Sequence, residues 1–106
     1  MVTMEQIRTV SRQMAREFRP HQIVLFGSYA QGKATKDSDV DLLVVLPFKG
    51  NPVHKSVQIR MKIRPPFPMD LLVRTPKTIR ERVAMGDSFV QDILQNGKVL
   101  YEANHS

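Results

Sequence analysis

Two aspartates, Asp39 and Asp41, stand one residue apart at the head of the apolar run Leu42-Leu43-Val44-Val45-Leu46. A Gly27-Ser28 pair precedes Asp39 by ten intervening residues. On an extended strand alternate side chains share a face, so the two carboxylates would point the same way, with Cα atoms roughly 6.5 Å apart. Carboxylates at that spacing suit a pair of hard cations. Two-metal sites hold their ions about 3.5–4 Å apart and stabilise the attacking and leaving oxygens of a phosphoryl displacement. A third acid, Asp70, is embedded in Met69-Asp70-Leu71-Leu72-Val73. Left unpaired in a buried strand it would be costly and would need cations or donors; on an edge strand it would need neither. Gly27 and Ser28 follow the apolar run Ile23-Val24-Leu25-Phe26 and offer backbone amides and a hydroxyl to an anion.

Other readings of this stretch fit less well. Gly27-x4-Gly32-Lys33 approaches a phosphate-binding P-loop, but Ala34 stands where a magnesium-ligating hydroxyl is needed. Asp37-x-Asp39-x-Asp41 opens like a calcium loop, yet Leu42 and Phe48 occupy its glycine and glutamate positions. A merely solvated acidic turn would leave Asp70 unexplained. Arg74, farther along the Asp70 strand and on the same face, is a candidate phosphate contact or a plain surface residue. His21, His54 and His105 lie beside prolines, breakers or the tail and form no metal set.

The elements that must position these residues are legible from periodicity and punctuation. Thr3 and Gln6 form a capping box ahead of Ile7, Val10, Met14 and Phe18, which predicts a helix over 4–18. Arg8, Arg12, Arg16 and Arg19 occupy another of its faces, either a solvated basic face or a docking surface. Pro20 ends the helix, 23–26 reads as a strand, and 40–46 reads as a second strand stopped by Pro47. Residues 53–64 alternate like a strand at Val57, Ile59, Met61 and Ile63, while Val53, Val57 and Met61 fit a helical stripe; length and Pro65-Pro66 favour a helix. A strand at 69–73, a helix from Pro76, a helix around Phe89 to Leu94 ended by Gly97, a strand at 99–101 and a frayed tail over 103–106 complete the expectation. The order describes an α/β fold, one sheet with helices packed on it.

The 106 residues suffice for one domain, and 42% apolar with 25% charged composition is ordinary for a globular chain. No apolar run approaches the ~18 residues that a membrane helix needs. With no cysteine there is neither a disulfide framework nor a thiolate metal site, so a cytoplasmic location is the expectation. The formal net charge of +6 would attract a nucleoside triphosphate or an acidic protein. Because the basic residues are dispersed, with no dense tract, nucleic-acid binding is disfavoured.

Gly27-Ser28, the spaced Asp39-x-Asp41 and the later strand acid Asp70 together resemble the nucleotidyltransferase superfamily that includes DNA polymerase β. The wording Asp37-Ser38-Asp39-Val40-Asp41-Leu42-Leu43-Val44 and the ending Val99-Leu100-Tyr101-Glu102 are similar to its minimal nucleotidyltransferase branch, over residues 22 to 102. Gln31 departs from the basic residue common at that position. The resemblance implies a mixed β-sheet flanked by helices and supports the helix at 53–64. It also implies two Mg2+ ions on Asp39, Asp41 and Asp70, with ATP phosphates held at Gly27 and Ser28. Stand-alone members of this branch pair with all-helical HEPN toxin proteins, so the implied activity is an antitoxin that transfers AMP to a toxin tyrosine. A non-catalytic binding module and a homodimeric enzyme acting on a small molecule are the alternatives.

Overall fold

The computed structural model describes residues 1–103. Its strands are β1 (Gln22–Phe26), β2 (Val40–Val45), β3 (Met69–Arg74) and β4 (Lys98–Glu102), and they form one sheet in the order β3-β2-β1-β4. The strand β1 runs antiparallel to both β2 and β4, whereas β2 and β3 are parallel. The sheet is therefore mixed, as expected. Parallel neighbours require a crossover, and here the helix α3 (Pro52–Ile63) supplies it. The remaining helices are α1 (Met4–Phe18), α2 (Ser28–Gln31), α4 (Pro76–Ala84) and α5 (Ser88–Asn96).

Side-chain caps start α1, α3, α4 and α5. The Thr3 hydroxyl accepts from the Gln6 amide at 3.1 Å while the Gln6 side chain accepts from the Thr3 amide at 2.8 Å, which completes the capping box of α1. Asn51 accepts from the Val53 amide at 2.7 Å, and Pro52 at the first helical position starts α3. The ambiguous 53–64 stretch is thus a helix. Its inward residue is the fully buried Ile59, while Val53, Val57 and Met61 are exposed. The stripe that the spacing picked out faces away from the core. Thr75 caps α4, and Asp87 caps α5 by accepting from the Phe89 and Val90 amides.

Alternation along β2 divides the core into two layers. Val40, Leu42 and Val44 face α1 and α3, where they pack with Ile7, Val10, Met14, Ile23, Leu25 and Ile59. Leu43 and Val45 face the other way and pack with Val24 and Ile93, with Leu72, Ile79 and Leu94 at the edge. Asp41 belongs by alternation to this second, thinner layer. The strands are slightly offset from the sequence reading, since β2 ends at Val45, leaving the buried Leu46 outside it, and β4 is longer by one residue at each end. Ala103 donates to the His21 carbonyl at 2.9 Å, so the first residue of the expected frayed tail is tied to the sheet; residues 104–106 lie outside the described residues.

The junction of α5 and β4 is close-packed at Gly97. A Cβ there would collide with the Ile93 and Leu25 carbonyl oxygens and with Val24. Two of these three obstacles are backbone, which cannot rotate away. Gly97→Ala is expected to destabilise the fold by about 2 kcal/mol, at the cost typical of overpacking. Urea denaturation with an unchanged m-value is the check.

Candidate active site

The parallel register sets Asp41 directly opposite Asp70, one step after the Val40–Met69 pair. On its other side Asp41 opposes Phe26, the last residue of β1. A row Phe26–Asp41–Asp70 therefore crosses three strands, and the Gly27-Ser28 turn begins where that row ends. Arg60 of α3 helps to fix the row: its guanidinium donates to the Met69 carbonyl at 2.6 Å, beside Asp70. Nothing in the sequence spacing signalled that role for Arg60.

Gly27 adopts φ 73°, ψ −153°, a region open essentially to glycine alone. A Cβ at this position would overlap the Asp41 Oδ2 atom. Close approach of the turn to the carboxylate explains the glycine. The four-residue α2 follows, with the Ala30 and Gln31 amides both donating to the Gly27 carbonyl. Tyr29 is buried, and its hydroxyl accepts from the Val2 amide at 3.2 Å, which anchors the turn against the start of the chain. Gln31 closes α2 ahead of Gly32, whose φ is 71°.

The carboxylates interact strongly. Asp41 is pushed up from 3.8 to about 6, first by burial, then by the Asp70 charge, by a hydrogen bond from protonated Asp41 to Asp70, and last by Asp39. Asp39 lies one residue before β2, not within it, because pairing to β3 starts at Val40. It flanks the pair from the loop, where the Thr35 amide donates to the Ser38 hydroxyl at 2.9 Å. Among the described residues no three His, Cys, Asp or Glu side chains form a ready-made metal cluster. The arrangement is instead a tight Asp41–Asp70 pair with a third acid beside it. Its chemistry suits a hard cation, because a bound cation would offset both the burial and the neighbouring charges that raise Asp41.

The other candidates are dispersed. The Arg74 guanidinium donates to the Val73 carbonyl at 2.7 Å, at the far end of β3 from Asp70. Arg8, Arg12, Arg16 and Arg19 are exposed along and just beyond α1. An aromatic pair escaped the sequence reading. Phe26 and Phe89 meet edge to face, with ring centroids 5.9 Å apart, and Phe89 is 55% exposed. The position of Phe26, immediately before Gly27, was a usable signal for it. Phe89 is distant in sequence, and only the packing of α5 brings it there.

Comparison with known proteins agrees with this fold. A Methanocaldococcus jannaschii protein with a provisional assignment as a protein adenylyltransferase is 29% identical over 83 residues, spanning 78% of this chain and 80% of the relative. The protein adenylyltransferase MntA of Thermococcus cleftensis is 40% identical over 48 residues, 42% of this chain and 48% of its own length. The bifunctional uridylyltransferase/uridylyl-removing enzyme of Rhodospirillum rubrum is 38% identical over 50 residues, 47% of this chain but only 5% of that much longer protein. Among solved structures, a toxin–antitoxin complex with AMP-PNP superposes with a TM-score of 0.60 at 20% identity, covering 92% of this chain and 74% of that one. The nucleotidyltransferase domain profile matches residues 7–100, so it takes in the Gly-Ser turn and all three acids. By that match, and by the mixed sheet that carries these residues, the chain belongs to the nucleotidyltransferase domain family.

Proposed function

We propose that this nucleotidyltransferase transfers AMP from ATP to a hydroxyl acceptor, a tyrosine of an all-helical HEPN toxin, and thereby acts as an antitoxin. The observation that carries the chemistry is the Asp41–Asp70 pair set side by side by the β2–β3 register, with Gly27 packed on Asp41. The partner is supported by the names of the MntA relative and of the toxin–antitoxin structural neighbour. Asp39, Asp41 and Asp70 would hold two magnesium ions. When bound, these supply neutralisation of the triphosphate and of the charge developing in the transition state.

The chain's own groups then have distinct tasks. The Gly27 and Ser28 amides and the Ser28 hydroxyl would cradle the β- and γ-phosphates. The acceptor oxygen attacks the α-phosphorus in line, the bond to the β-phosphate oxygen breaks, and pyrophosphate leaves. The proton of the acceptor hydroxyl passes to Asp70, which is exposed at the strand surface and so within reach of an incoming group.

Intact-mass spectrometry tests the reading. A small all-helical HEPN protein, where the reading frame adjacent to this chain encodes one, should gain the mass of one AMP on a tyrosine when incubated with the chain, ATP and magnesium. Asp70→Asn should abolish that gain while leaving ATP binding largely intact, because Asp39 and Asp41 still hold the nucleotide. Rapid modification of a small-molecule hydroxyl by the chain alone, with the helical protein unmodified, would overturn the antitoxin reading.

A further inference from the structure

An open groove runs along α1 and ends at Asp39. Its first basin, about 480 Å³, is lined by Asp39, Lys36, Gln6 and the loop Pro66-Phe67-Pro68. A second, about 470 Å³, shares Gln6 and Pro66 with it and continues past Thr9 and Gln13 on one wall and Arg64 on the other. A third, about 180 Å³, shares Gln13 and Ile63 with the second and ends at Arg16 and Lys62. Gln6, Thr9, Gln13 and Arg16 follow helical spacing, so they form one wall. Residues 62–68 run back along the other. They are tied at one end by the Lys62–Glu17 pair at 3.9 Å, and at the other by the Val40 amide, which donates to the Pro68 carbonyl at 3.1 Å. From Gln6 to Arg16 the helical wall is roughly 15 Å long, the reach of about four or five extended residues.

We infer that this groove seats an extended segment of the acceptor polypeptide, with the acceptor tyrosine at its Asp39 end and an acidic side chain on Arg64. The inference rests on the proposed transfer to a protein tyrosine and names the surface that selects it. Gly27-Ser28 leaves β1 on one flank of Asp41, whereas Pro66-Phe67-Pro68 leads into Met69-Asp70 on the β3 flank. In-line displacement brings the attacking oxygen from the side opposite the departing pyrophosphate. An acceptor arriving along this groove therefore reaches the acids from the flank opposite the Gly-Ser turn, beside Asp70. Half-buried Phe67 between two exposed prolines offers an apolar seat for a phenol ring. Among the described residues the Gln13 amide has no hydrogen-bond partner, and the Arg64 guanidinium makes no ion pair, with Glu5 on the facing wall or elsewhere. A primary amide offers the donor and acceptor that a peptide backbone needs, and a guanidinium binds a carboxylate through two parallel N–H groups. Arg64 also closes α3 at φ 52°, in the left-handed region where glycine is the ordinary choice. What its side chain meets explains an arginine there better than the turn does.

Two acceptor probes, given with ATP and magnesium, separate this inference from the reading it rests on. One is a synthetic library of tyrosine-centred undecapeptides. The other is N-acetyltyrosinamide, which has the phenol but no chain to fill the groove. Mass spectrometry of the AMP-modified products should show peptides favoured by at least ~tenfold in kcat/KM, with Asp or Glu enriched within about five residues on one side of the tyrosine. Arg64→Gly should erase the acid preference at a melting temperature no lower than wild type, because glycine suits the left-handed turn. Gln13→Trp should fill the groove and bring the ratio of the two probes close to one; Gln13 is exposed, and a thermal melt establishes that the variant folds. Equal use of the two probes by the wild-type chain, or a peptide preference that both variants leave intact, overturns the groove and leaves the transferase reading standing. So does modification of the all-helical protein with neither probe modified. If none of the three is modified, the tyrosine-acceptor reading fails and the groove with it.

Discussion

Asp41→Asn is expected to reduce nucleotidyl transfer by ~10³-fold or more and, in the same protein, to raise the stability of the metal-free fold near neutral pH. Both effects come from one charge. Asp41 titrates at about 6 in the fold against 3.8 ordinarily, so the folded chain holds its proton more tightly than the unfolded chain does. Stability from this group is therefore fully present below about pH 4, declines as the pH rises to about 6, and stays reduced above that. Asparagine removes the slope. At pH 7.5 the variant should gain on the order of 1 kcal/mol, a value already discounted for the partial exposure of the carboxylate. Transfer, under the proposed two-metal chemistry, needs the negative charge to hold a cation. Thermal melts from pH 4 to 8 beside a single-turnover assay read both outcomes. A variant that folds and still transfers nucleotide would exclude Asp41 from the reaction, and an unaltered pH slope would exclude a raised Asp41 carboxyl, whether by burial or by Asp70.

Gly27→Ala should damage both stability and catalysis. The backbone there sits in a glycine-only region at φ 73°, ψ −153°, and any Cβ would overlap Asp41 Oδ2. Strain of this kind costs roughly 1–3 kcal/mol even without a collision. The collision can be relieved by swinging the Asp41 carboxylate away from the turn, which separates the acid from Gly27 and Ser28. The expected result is a loss of about 3 kcal/mol in urea denaturation and a fall of more than ~100-fold in transfer rate. Adding Asp41→Asn to Gly27→Ala should restore little stability, because the asparagine amide fills the same space as the carboxylate. Full recovery of stability in the double variant would show that charge, not volume, sets the cost.

The two substitutions probe different properties of one arrangement. Asp41→Asn alters charge at constant shape, and Gly27→Ala alters shape at constant charge. Together they ask whether the carboxylate row and the Gly-Ser turn act as a unit. If they do, the activity losses in the double variant will be far from additive.

Much of this molecule was legible in its sequence for local reasons. The Thr3–Gln6 box and Asp87 each commit a helix start through hydrogen bonds within four residues. The candidate site was equally open to reading, because Gly27, Ser28, Asp39 and Asp41 belong to one short stretch and Asp70 is conspicuous as an acid inside an apolar strand. What spacing could not supply was anything set by pairing between distant segments. Whether Asp70 meets Asp41 depends on the β2–β3 register, and a shift of one residue would turn Asp70 to the opposite face. The exposed stripe of Val53, Val57 and Met61 was unreadable for a similar reason: periodicity locates an apolar face, but only the crossover that seats α3 on the sheet decides that Ile59 faces inward. Arg60 on the Met69 carbonyl, Phe89 against Phe26, and the groove along α1 likewise arise from contacts across the chain. The sequence by itself determined which groups could perform phosphoryl chemistry, since residue identity and short-range geometry decide that. The tertiary structure alone decided how strongly the acids repel one another and what lies beside them, because burial and through-space charge exist only once the sheet is assembled.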